Sequence, residues 1–344
     1  LIITLLSLNH HFALANEIDS ILDRHKRFLL QDTPTEERAK QLIQHFDQES
    51  GQWSNIDYAN NNLAEWRIIN HLKNTRELAI YWVGLKDGAS KKKLFSLIIA
   101  ALDNWCSHQY RSKNWWYNEI NVPQVMKDIL VLIHQKLSPP QLSKYLDIVG
   151  QFKINGKGAN LIWSAEIGLF YGLFTRDFKL VNHAYSSIID EIRITTGEGL
   201  QPDYSFHQHG ARLQMFHYGK IFLQDNIRLA WELKLSQWAY PEDKILLLCD
   251  MLLDGWQWMS RGVNTVPETM DRASSRVGAL KLAEIRRYIP YFMETLPSHK
   301  KEFLKIWNSQ NANTQSVCGF KGYPFSDFAA FHSRPFSFFI KTIS

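Results

Sequence analysis

Apolar residues recur at intervals of three and four along most of the chain after Asn16. This spacing places them on one face of a helix and predicts a succession of amphipathic helices. Prolines support this interpretation, because Pro123, Pro241 and the pair at 139–140 lie near the first turns of helices, where a proline costs little. The predicted helices span residues 17–30, 37–46, 62–75, 92–105, 122–137, 139–150, 159–174, 177–192, 279–289 and 300–308.

Helices of this length, joined by short polar turns and without a heptad seam, favour stacked helical hairpins. We therefore predict an all-α fold class, an incomplete α/α toroid of helical hairpins. Such a ring buries the inner faces of its helices and leaves a groove at one end. A plain helical bundle satisfies the same periodicity, and the pattern alone does not separate the two.

The final segment, residues 320–344, loses the helical spacing and becomes rich in Phe and Ser. Its closing residues, FSFFIKTIS, alternate in polarity and predict a β-strand. A lone hairpin is only marginally stable in water. We therefore predict that residues 16–310 form the helical catalytic domain. Residues 311–344 are then a linker and the first strands of a truncated antiparallel β domain.

The first fifteen residues, LIITLLSLNHHFALA, form an apolar run that ends in Ala13-Leu14-Ala15. The small residues at 13 and 15 fit a signal-peptidase cleavage site, and the run is too short to span a membrane. We predict that residues 1–15 are the remnant of a signal peptide cleaved after Ala15. The protein is then secreted or periplasmic.

The composition of the chain favours an acidic ligand other than nucleic acid. Its 344 residues carry a formal charge of +5, a mild basic bias without any nucleic-acid motif. The cysteines at 106, 249 and 318 form no CxxC pair and are expected to be buried free thiols. No cluster of metal ligands is visible, so we predict no cofactor for catalysis. A structural calcium ion is left open but is not indicated.

Four polar and aromatic clusters fall between predicted helices, where functional groups are usually placed. The first is NWWYNEINVPQ at 114–124. Adjacent Trp115 and Trp116 cannot both face a core from one helix, so at least one exposed indole is expected, which would bind the C–H face of a sugar ring. Asn118 and Glu119 can bond the sugar hydroxyls. The alternative is that both indoles are buried at a helix junction.

The second and third clusters combine an amide, imidazoles and phenols. In NGKGANLIW (155–163), two glycines frame a turn that places Asn160 at a helix start. There it serves either as an N-cap or as a donor to a ligand carboxylate. In QPDYSFHQHGARLQMFHYG (201–219), His209 and Tyr218 are nine residues apart and can face one cavity. A phenol acts as a base only where positive charge stabilises its phenolate; otherwise Tyr218 is an ordinary core tyrosine.

The fourth cluster, RGVNTVPETMDRASSR at 261–276, supplies positive charge. Arg272 and Arg276 lie four residues apart, and Arg261 lies upstream. Gly, Pro and the Ser-Ser pair predict a loop. The alternative is that the three arginines are solvated surface residues without a role in function.

Together the clusters match one kind of chemistry, the removal of the proton α to a uronate carboxylate. That proton is weakly acidic, so the carboxylate charge must be offset and the enolate-like transition state stabilised. Asn160 and His209 suit this task, Tyr218 suits proton transfer, and the arginines stabilise its phenolate. Elimination of the 4-linked oxygen then leaves an unsaturated uronate.

The motifs NWWYNEI, GANLIW, the 201–219 block and RASSR, in that order, resemble polysaccharide lyase family 8. That family contains chondroitin AC, hyaluronate and xanthan lyases. The resemblance runs from about residue 20 to the end of the chain. It is most specific in the 201–219 block, which is most similar to the chondroitin AC lyases. The resemblance implies an N-terminal α/α toroid followed by antiparallel β domains, and cleavage of an acidic polysaccharide by β-elimination.

The resemblance also implies roles for individual residues. Asn160 and His209 match the pair that neutralises the uronate carboxylate, and Tyr218 matches the general base that also returns the proton to the leaving oxygen. A further acidic residue and an amide are expected from a β domain beyond Ser344. His207 and His217 match no catalytic role and are expected to support the site or to lie at the surface. The resemblance also implies that Arg272 and Arg276 hold the charge of the site and the substrate, and that Trp115 and Trp116 position the polysaccharide. Asn118 and Arg261 are further substrate-binding candidates.

We therefore predict a secreted, monomeric lyase of chondroitin sulfate or hyaluronan, with a xanthan lyase as the alternative in the same class. A different class is a glycoside hydrolase on an α/α barrel, which needs two placed carboxylates. The third alternative is a non-catalytic carbohydrate-binding fragment that keeps the tryptophans. The carboxylates available to a hydrolase have no evident partner in the sequence: Glu119, Glu166, Glu198 and Asp203.

Overall fold

The computed structural model describes residues 2–342 and, within them, every side chain except those of residues 2–13 and Arg272. The chain divides into two compact units. Unit 1 comprises the chain up to Ile154 together with Trp163–Ala184. Unit 2 comprises Asn155–Ile162 together with the chain from Tyr185 onward. The predicted domain boundaries after residues 15 and 310 stay predictions.

Unit 1 is built from helices, as the apolar spacing predicts. Thr35 caps the second of them by accepting a hydrogen bond from the Arg38 N–H, and Ser138 forms a capping box with Gln141 ahead of two prolines. A short antiparallel ribbon, β1 (Phe46–Asp47) and β2 (Gln52–Trp53), lies between the second and third helices. The helices are α1 (Ile2–Leu30), α2 (Glu36–Gln44), α3 (Asn70–Gly84), α4 (Ala89–His108), α5 (Val122–Ile133), α6 (Pro139–Val149), most of α7 (Ala159–Thr175) and the first part of α8 (Phe178–Glu191).

Helix α5 lies at the centre of unit 1 and packs against α1, α3 and α6. It is apolar almost all round, a pattern typical of a helix that is buried on every side. Every residue from Val122 to Ile133 except Gln124 is buried. The core of unit 1 therefore forms around this helix.

Two charged residues are buried within α5. The Lys127 ammonium lies 2.5 Å from a carboxylate oxygen of Glu166, itself 2% exposed. The neighbouring Asp128 lies 3.0 Å from the His25 ring and 2.9 Å from the Arg76 guanidinium. Because a buried charge is costly unless it is paired, these contacts make the cluster tolerable inside an apolar core.

Helix α1 contains residues that we predict to be a signal-peptide remnant. The helix runs without interruption from Ile2 to Leu30, and cleavage after Ala15 stays a prediction. Among the residues that the structure describes, no helix combines the length and the apolarity that a membrane crossing requires.

Unit 2 contains shorter helices and an antiparallel ribbon. The ribbon, β3 (Gly199–Leu200) with β4 (Phe206–His207), is followed by a π-helical turn over Met215–Gly219. That turn leads directly into α9, which packs against α10 and α11, while α11 packs against α12. These helices are α9 (Lys220–Leu233), α10 (Glu242–Asp250), α11 (Ile289–Thr295) and α12 (Lys300–Ala312).

Unit 2 ends in a three-stranded antiparallel sheet, β5 (Gly319–Tyr323), β6 (Phe328–His332) and β7 (Ser337–Lys341). The strand character predicted for residues 320–344 is confirmed as far as Lys341. Along each strand, less exposed and more exposed side chains alternate, and most of the buried ones belong to β6. The strand register aligns three exposed phenylalanines on one face: Phe320, Phe331 and Phe338.

The helix predicted over residues 62–75 is wrong in its first half, because α3 begins at Asn70 after a 3-10 turn. Asparagine side chains explain the difference. Asn60 Oδ1 accepts a hydrogen bond from the Asn62 N–H, and Asn62 Oδ1 accepts one from the Ala64 N–H. These local bonds satisfy the backbone in turns and compete with a helix.

The helix predicted over residues 279–289 is also wrong. Only short 3-10 turns occur there, and α11 begins at Ile289. The Ile285 N–H donates to the side chain of Gln310 at 3.1 Å, and the Arg286 N–H donates to the Glu284 carboxylate at 2.9 Å. Side-chain oxygens thus accept hydrogen bonds from backbone N–H groups that would donate to backbone carbonyls in a continuous helix.

The three cysteines are free thiols in different environments. Cys249 is buried, Cys106 is half-buried and Cys318 is exposed. The expectation of buried free thiols is therefore confirmed for Cys249 and wrong for Cys318.

Candidate active site

The segment 201–219 folds into a strand, a sharp turn and a π-helical turn within unit 2. After β4, His209 and Gly210 both have positive φ, 61° and 85°. A left-handed φ costs a residue other than glycine about 1–3 kcal/mol, and such residues concentrate at functional sites. The π-helical turn then presents Tyr218 at the start of α9.

His209 and Tyr218 are in direct contact. Their ring centroids lie 4.9 Å apart, with an angle of 81° between the ring planes. Tyr218 is only 7% exposed, whereas His209 is exposed. The pair therefore combines a buried phenol with an imidazole that a ligand can reach.

Asn160 lies in the first turn of α7, which begins at Ala159. The N-cap interpretation is wrong, because Gly158 precedes the helix and its carbonyl accepts a hydrogen bond from the Ile162 N–H at 3.1 Å. Asn160 itself is half-buried. It belongs to the positively polarised end of a 17-residue helix, where an anionic ligand is favoured.

The side chain of Gln208 ties the start of α7 to the His209 turn. It is 1% exposed, its Oε1 accepts a hydrogen bond from the Ala159 N–H at 3.3 Å, and its Nε2 donates to the Lys157 carbonyl at 3.2 Å. Gln208 precedes His209 and Ala159 precedes Asn160, so these bonds bring the two candidates to one region of unit 2. The sequence reasoning missed Gln208, although an amide between two histidines next to a buried strand is a usable signal.

Two glycines permit this close approach. Gly158 has a φ of +55°, and a Cβ there would lie 2.5 Å from the Gln208 Oε1. The Gly158 N–H donates to the Glu191 carboxylate, and burial raises the pKa of that carboxyl group. Gly219 closes the π-helical turn, and a Cβ there would lie 2.9 Å from the Cβ of Phe206 on β4. A larger residue at either position would push two segments of the site apart.

The loop at 261–276 is joined to the His–Tyr segment through Asp271. The Gln214 amide donates to Asp271 Oδ2 at 2.8 Å, and the Arg212 guanidinium lies 3.6 Å from the same oxygen. Arg276 follows five residues later and is exposed. The side chain of Arg272 lies outside the described residues, so its predicted role stays a prediction.

Arg261 makes its contacts with the C-terminal sheet of unit 2. Its guanidinium donates to the Ser333 carbonyl at 3.2 Å, to the Ser337 hydroxyl at 2.9 Å and to the Arg334 carbonyl at 2.6 Å. These bonds hold the turn between β6 and β7 and give Arg261 a structural role. Its predicted contact with substrate stays a prediction.

The aromatic cluster belongs to unit 1. Trp115 is 51% exposed, as expected for at least one member of the pair. Trp116 is half-buried and packs edge-on against Trp163, with centroids 5.8 Å apart. The Asn118 amide bonds the N–H and the carbonyl of Ser112, at 2.9 Å and 2.8 Å. Asn118 thus shapes the preceding loop, and its predicted sugar contact stays a prediction.

His207 and His217 are buried, at 2% and 8% exposure, rather than at the surface. His207 Nε2 lies 2.8 Å from the Ser326 hydroxyl, and burial lowers the pKa of its ring. His217 Nδ1 lies 3.2 Å from Oε1 of Gln214, and its ring packs 4.2 Å from that of Tyr218. His217 therefore supports Tyr218 from inside the protein, as expected for a residue outside the catalytic set.

The four carboxylates considered for a hydrolase are all engaged in other contacts. Glu119 and Glu166 each pair with a lysine, at 2.7 Å and 2.5 Å. Glu198 and Asp203 each accept hydrogen bonds from backbone N–H groups. A hydrolase needs one carboxylic acid and one carboxylate directed at the same bond, and these contacts do not supply that pair.

The arrangement in unit 2 supports acid–base chemistry on an anionic ligand. An amide at a helix N-terminus and an accessible imidazole can neutralise a carboxylate, and the adjacent phenol can transfer a proton. Among the side chains that the structure describes, no group of three or more His, Cys, Asp or Glu residues is placed to hold a metal ion.

Comparison with known proteins finds a protein family whose model matches most of the chain. A family model described as the polysaccharide lyase family 8 N-terminal α-helical domain matches residues 12–302. The chain is 27% identical over 317 residues to Chondroitinase-AC of Pedobacter heparinus, covering 86% of this chain and 44% of that protein. It is 25% identical over 173 residues to a xanthan lyase of Bacillus sp. (strain GL1), covering 47% of this chain and 18% of that protein. The chain thus spans less than half the length of these relatives.

A solved structure of a chondroitinase AC lyase, determined with bound oligosaccharides, matches with a TM-score of 0.87 at 22% identity. The match covers 95% of this chain and 50% of that chain. It confirms the predicted fold class, a mostly helical α/α toroid with small antiparallel sheets, over a plain helical bundle.

Proposed function

The chain belongs to polysaccharide lyase family 8, and on that premise we propose that it cleaves uronate-containing glycosaminoglycans by β-elimination. The observation that carries this proposal is the contact between His209 and Tyr218, with ring centroids 4.9 Å apart. Gln208 links that pair to the first turn of α7, where Asn160 lies. A phenol, an imidazole and an amide at a helix N-terminus are the groups that this elimination needs.

In the proposed reaction, Asn160 and His209 hydrogen-bond the uronate carboxylate and reduce its negative charge. The positively polarised start of α7 adds to this effect. The C5 proton next to the carboxylate then becomes acidic enough for removal. As the C5–H bond breaks, its electron pair delocalises into the carboxylate, which the same two residues stabilise in the transition state.

Tyr218 transfers the proton in both directions. Its phenolate oxygen takes the proton from C5, the C4–O bond to the next sugar breaks, and a C4–C5 double bond forms. The phenol then returns the proton to the departing oxygen, so the enzyme is restored without net uptake of a proton. Arg272 and Arg276 are proposed to stabilise the phenolate and the substrate charge, because positive charge nearby favours the ionised form of a tyrosine.

We assign a chondroitin-type glycosaminoglycan as the substrate. The alignment to Chondroitinase-AC covers 86% of this chain, whereas the alignment to the xanthan lyase covers 47%. A formal charge of +5 suits an acidic polymer, and the exposed indole of Trp115 suits a sugar ring. We further propose that the protein acts as an exported monomer and that catalysis needs no cofactor.

Ultraviolet absorbance during digestion tests this function. Elimination creates a conjugated double bond, so absorbance rises as chondroitin sulfate is cut. A hydrolase would produce new reducing ends without that absorbance, and a binding fragment would produce neither. Parallel digestions of hyaluronan and xanthan identify the substrate, and faster cleavage of xanthan would contradict the assignment to glycosaminoglycans.

A further inference from the structure

A groove with an aromatic floor and a basic rim lies in unit 1, where the turn between α3 and α4 meets the end of α5. Its volume is about 490 Å³, within the range of roughly 300–1,000 Å³ that is typical of ligand sites. We call it the lysine groove, and its lining includes Trp82, Lys91, Lys92, Phe95 and Lys136. None of these residues takes part in the proposed reaction.

The floor of the lysine groove is held in place by internal contacts. The rings of Trp82 and Phe95 lie 5.3 Å apart at 35°, and Trp82 is only 8% exposed. The Lys91 ammonium lies 5.1 Å from the centroid of the Trp82 ring and donates a hydrogen bond to the Leu85 carbonyl at 2.8 Å. These contacts orient the Lys91 charge before a ligand arrives, which lowers the entropy lost on binding.

The rim of the lysine groove carries more lysines than carboxylates and is therefore positively charged. Lys92 and Lys136 are both exposed. Asp87 is the one carboxylate of the lining, and it lies 3.5 Å from the Lys91 ammonium. Gly88 precedes α4 and supplies no capping side chain, so the first N–H groups of this 20-residue helix add to the positive potential.

The lysine groove is separate from the exposed tryptophan of unit 1. Lys91 lies near the start of α4 and Trp105 near its end, about 21 Å away at 1.5 Å per residue. The Trp66 ring contacts both Trp105 and Tyr117, which places the segment that carries Trp115 at the far end of the helix. A ligand in the groove therefore does not occupy the position of Trp115.

We propose that the lysine groove is a second binding site for a sulfated or carboxylated polysaccharide; the identity of that polymer rests on the proposed function. The lysines pair with anionic substituents spaced along the polymer, and the half-buried ring of Phe95 packs against the C–H face of a pyranose ring. A second attachment point keeps a long substrate near the protein and raises its effective concentration. Short oligosaccharides cannot use it in this way.

Binding of immobilised chondroitin sulfate to the full protein carrying Tyr218→Phe, which leaves the polymer intact, tests this site. Reversing two exposed rim charges, Lys92→Glu with Lys136→Glu, weakens the affinity by about tenfold or more. The matched control is Lys93→Glu, an exposed lysine of the same helix that is not part of the groove lining. It changes the affinity by less than about twofold. If the loss of affinity per reversed charge were equal in the two proteins, the proposal of a binding site in the lysine groove would be wrong.

Turnover of a chondroitin tetrasaccharide separates the groove from the proposed active site. With Tyr218 intact, the Lys92→Glu/Lys136→Glu protein keeps its kcat/KM for the tetrasaccharide and shows a higher KM for the polymer. Lost tetrasaccharide turnover would contradict a separate site. If the unsubstituted protein cleaves no oligosaccharide, the proposed function fails by itself, and the affinity measurement still decides whether the groove binds polymer.

A third variant distinguishes a sugar polymer from any polyanion. Phe95→Leu keeps every charge of the groove but removes an aromatic ring from its floor. It weakens binding of chondroitin sulfate and leaves binding of inorganic polyphosphate unchanged. Equal effects on the two probes would overturn the assignment to a polysaccharide.

Discussion

Gln208→Leu tests whether the site depends on the link between α7 and the His209 turn. Leucine is close to glutamine in size but can neither accept the hydrogen bond from the Ala159 N–H nor donate one to the Lys157 carbonyl. The substitution therefore removes both bonds without removing much volume. The start of the helix that carries Asn160 then loses one of the contacts that fix it, and the bond from the Gly158 N–H to Glu191 remains.

The structure sets the size of the expected effects. Ala159 is fully buried, so its unpaired N–H costs about 1–3 kcal/mol of unfolding free energy. Lys157 is exposed, so water can replace the bond to its carbonyl at little cost. Each kcal/mol lowers the melting temperature by about 2–4 °C in a domain of this size. A displacement of Asn160 by about 1 Å lowers kcat/KM by roughly 100-fold.

The matched control is Asn226→Leu. Asn226 is fully buried in α9, donates to the Phe222 carbonyl at 2.8 Å and accepts from the Tyr240 hydroxyl at 3.1 Å. Its replacement lowers the melting temperature by a similar amount but leaves kcat/KM close to that of the unsubstituted protein. Thermal unfolding and initial rates of absorbance increase give both quantities. Equal losses of kcat/KM in the two variants would refute a positioning role for Gln208.

Two further outcomes follow from the buried cluster and the aromatic patch. Burial alone would raise the pKa of the Asp128 carboxyl, but Lys127, His25 and Arg76 outweigh it and hold that pKa well below its usual range. The stability it contributes is therefore present above the unfolded pKa of about 3.9 and is lost as the pH falls through the lower folded pKa. Asp128→Asn accordingly lowers the free energy of unfolding, measured with urea, by about 3–5 kcal/mol at pH 7. The loss is clearly smaller at low pH, and an equal loss at both pH values would contradict the stabilising role of the Asp128 charge. Trp115→Ala raises KM for chondroitin oligosaccharides while kcat changes little, and an unchanged KM would contradict sugar binding at that indole.

The helices were predictable where local patterns agree with tertiary packing. The segments around α4 and α6 combine apolar spacing with clear starts, a glycine before α4 and the Ser138-Pro139-Pro140 sequence before α6. The start of α3 was not predictable from spacing alone. There the side-chain bonds of Asn60 and Asn62 override an apolar pattern that fits a helix.

In the candidate active site, the contact of His209 with Tyr218 followed from their separation and from the turn residues between them. The role of Gln208 did not, because its partners lie about fifty residues earlier in the chain and are brought to it only by folding. The contacts of Arg261 with the β6–β7 turn were unpredictable for the same reason. Spacing in the sequence indicates candidate reactive groups, whereas the residues that hold those groups in place are defined by tertiary contacts.

The measurement that tests the central claim most directly compares turnover and binding in the Tyr218→Phe protein. Phenylalanine keeps the ring that packs against His209 and removes only the hydroxyl that is proposed to carry the proton. We predict that the ultraviolet absorbance of chondroitin digests no longer rises, while the affinity for chondroitin oligosaccharides stays within about twofold. An absorbance increase at the rate of the unsubstituted protein would contradict Tyr218 as the proton-transferring group.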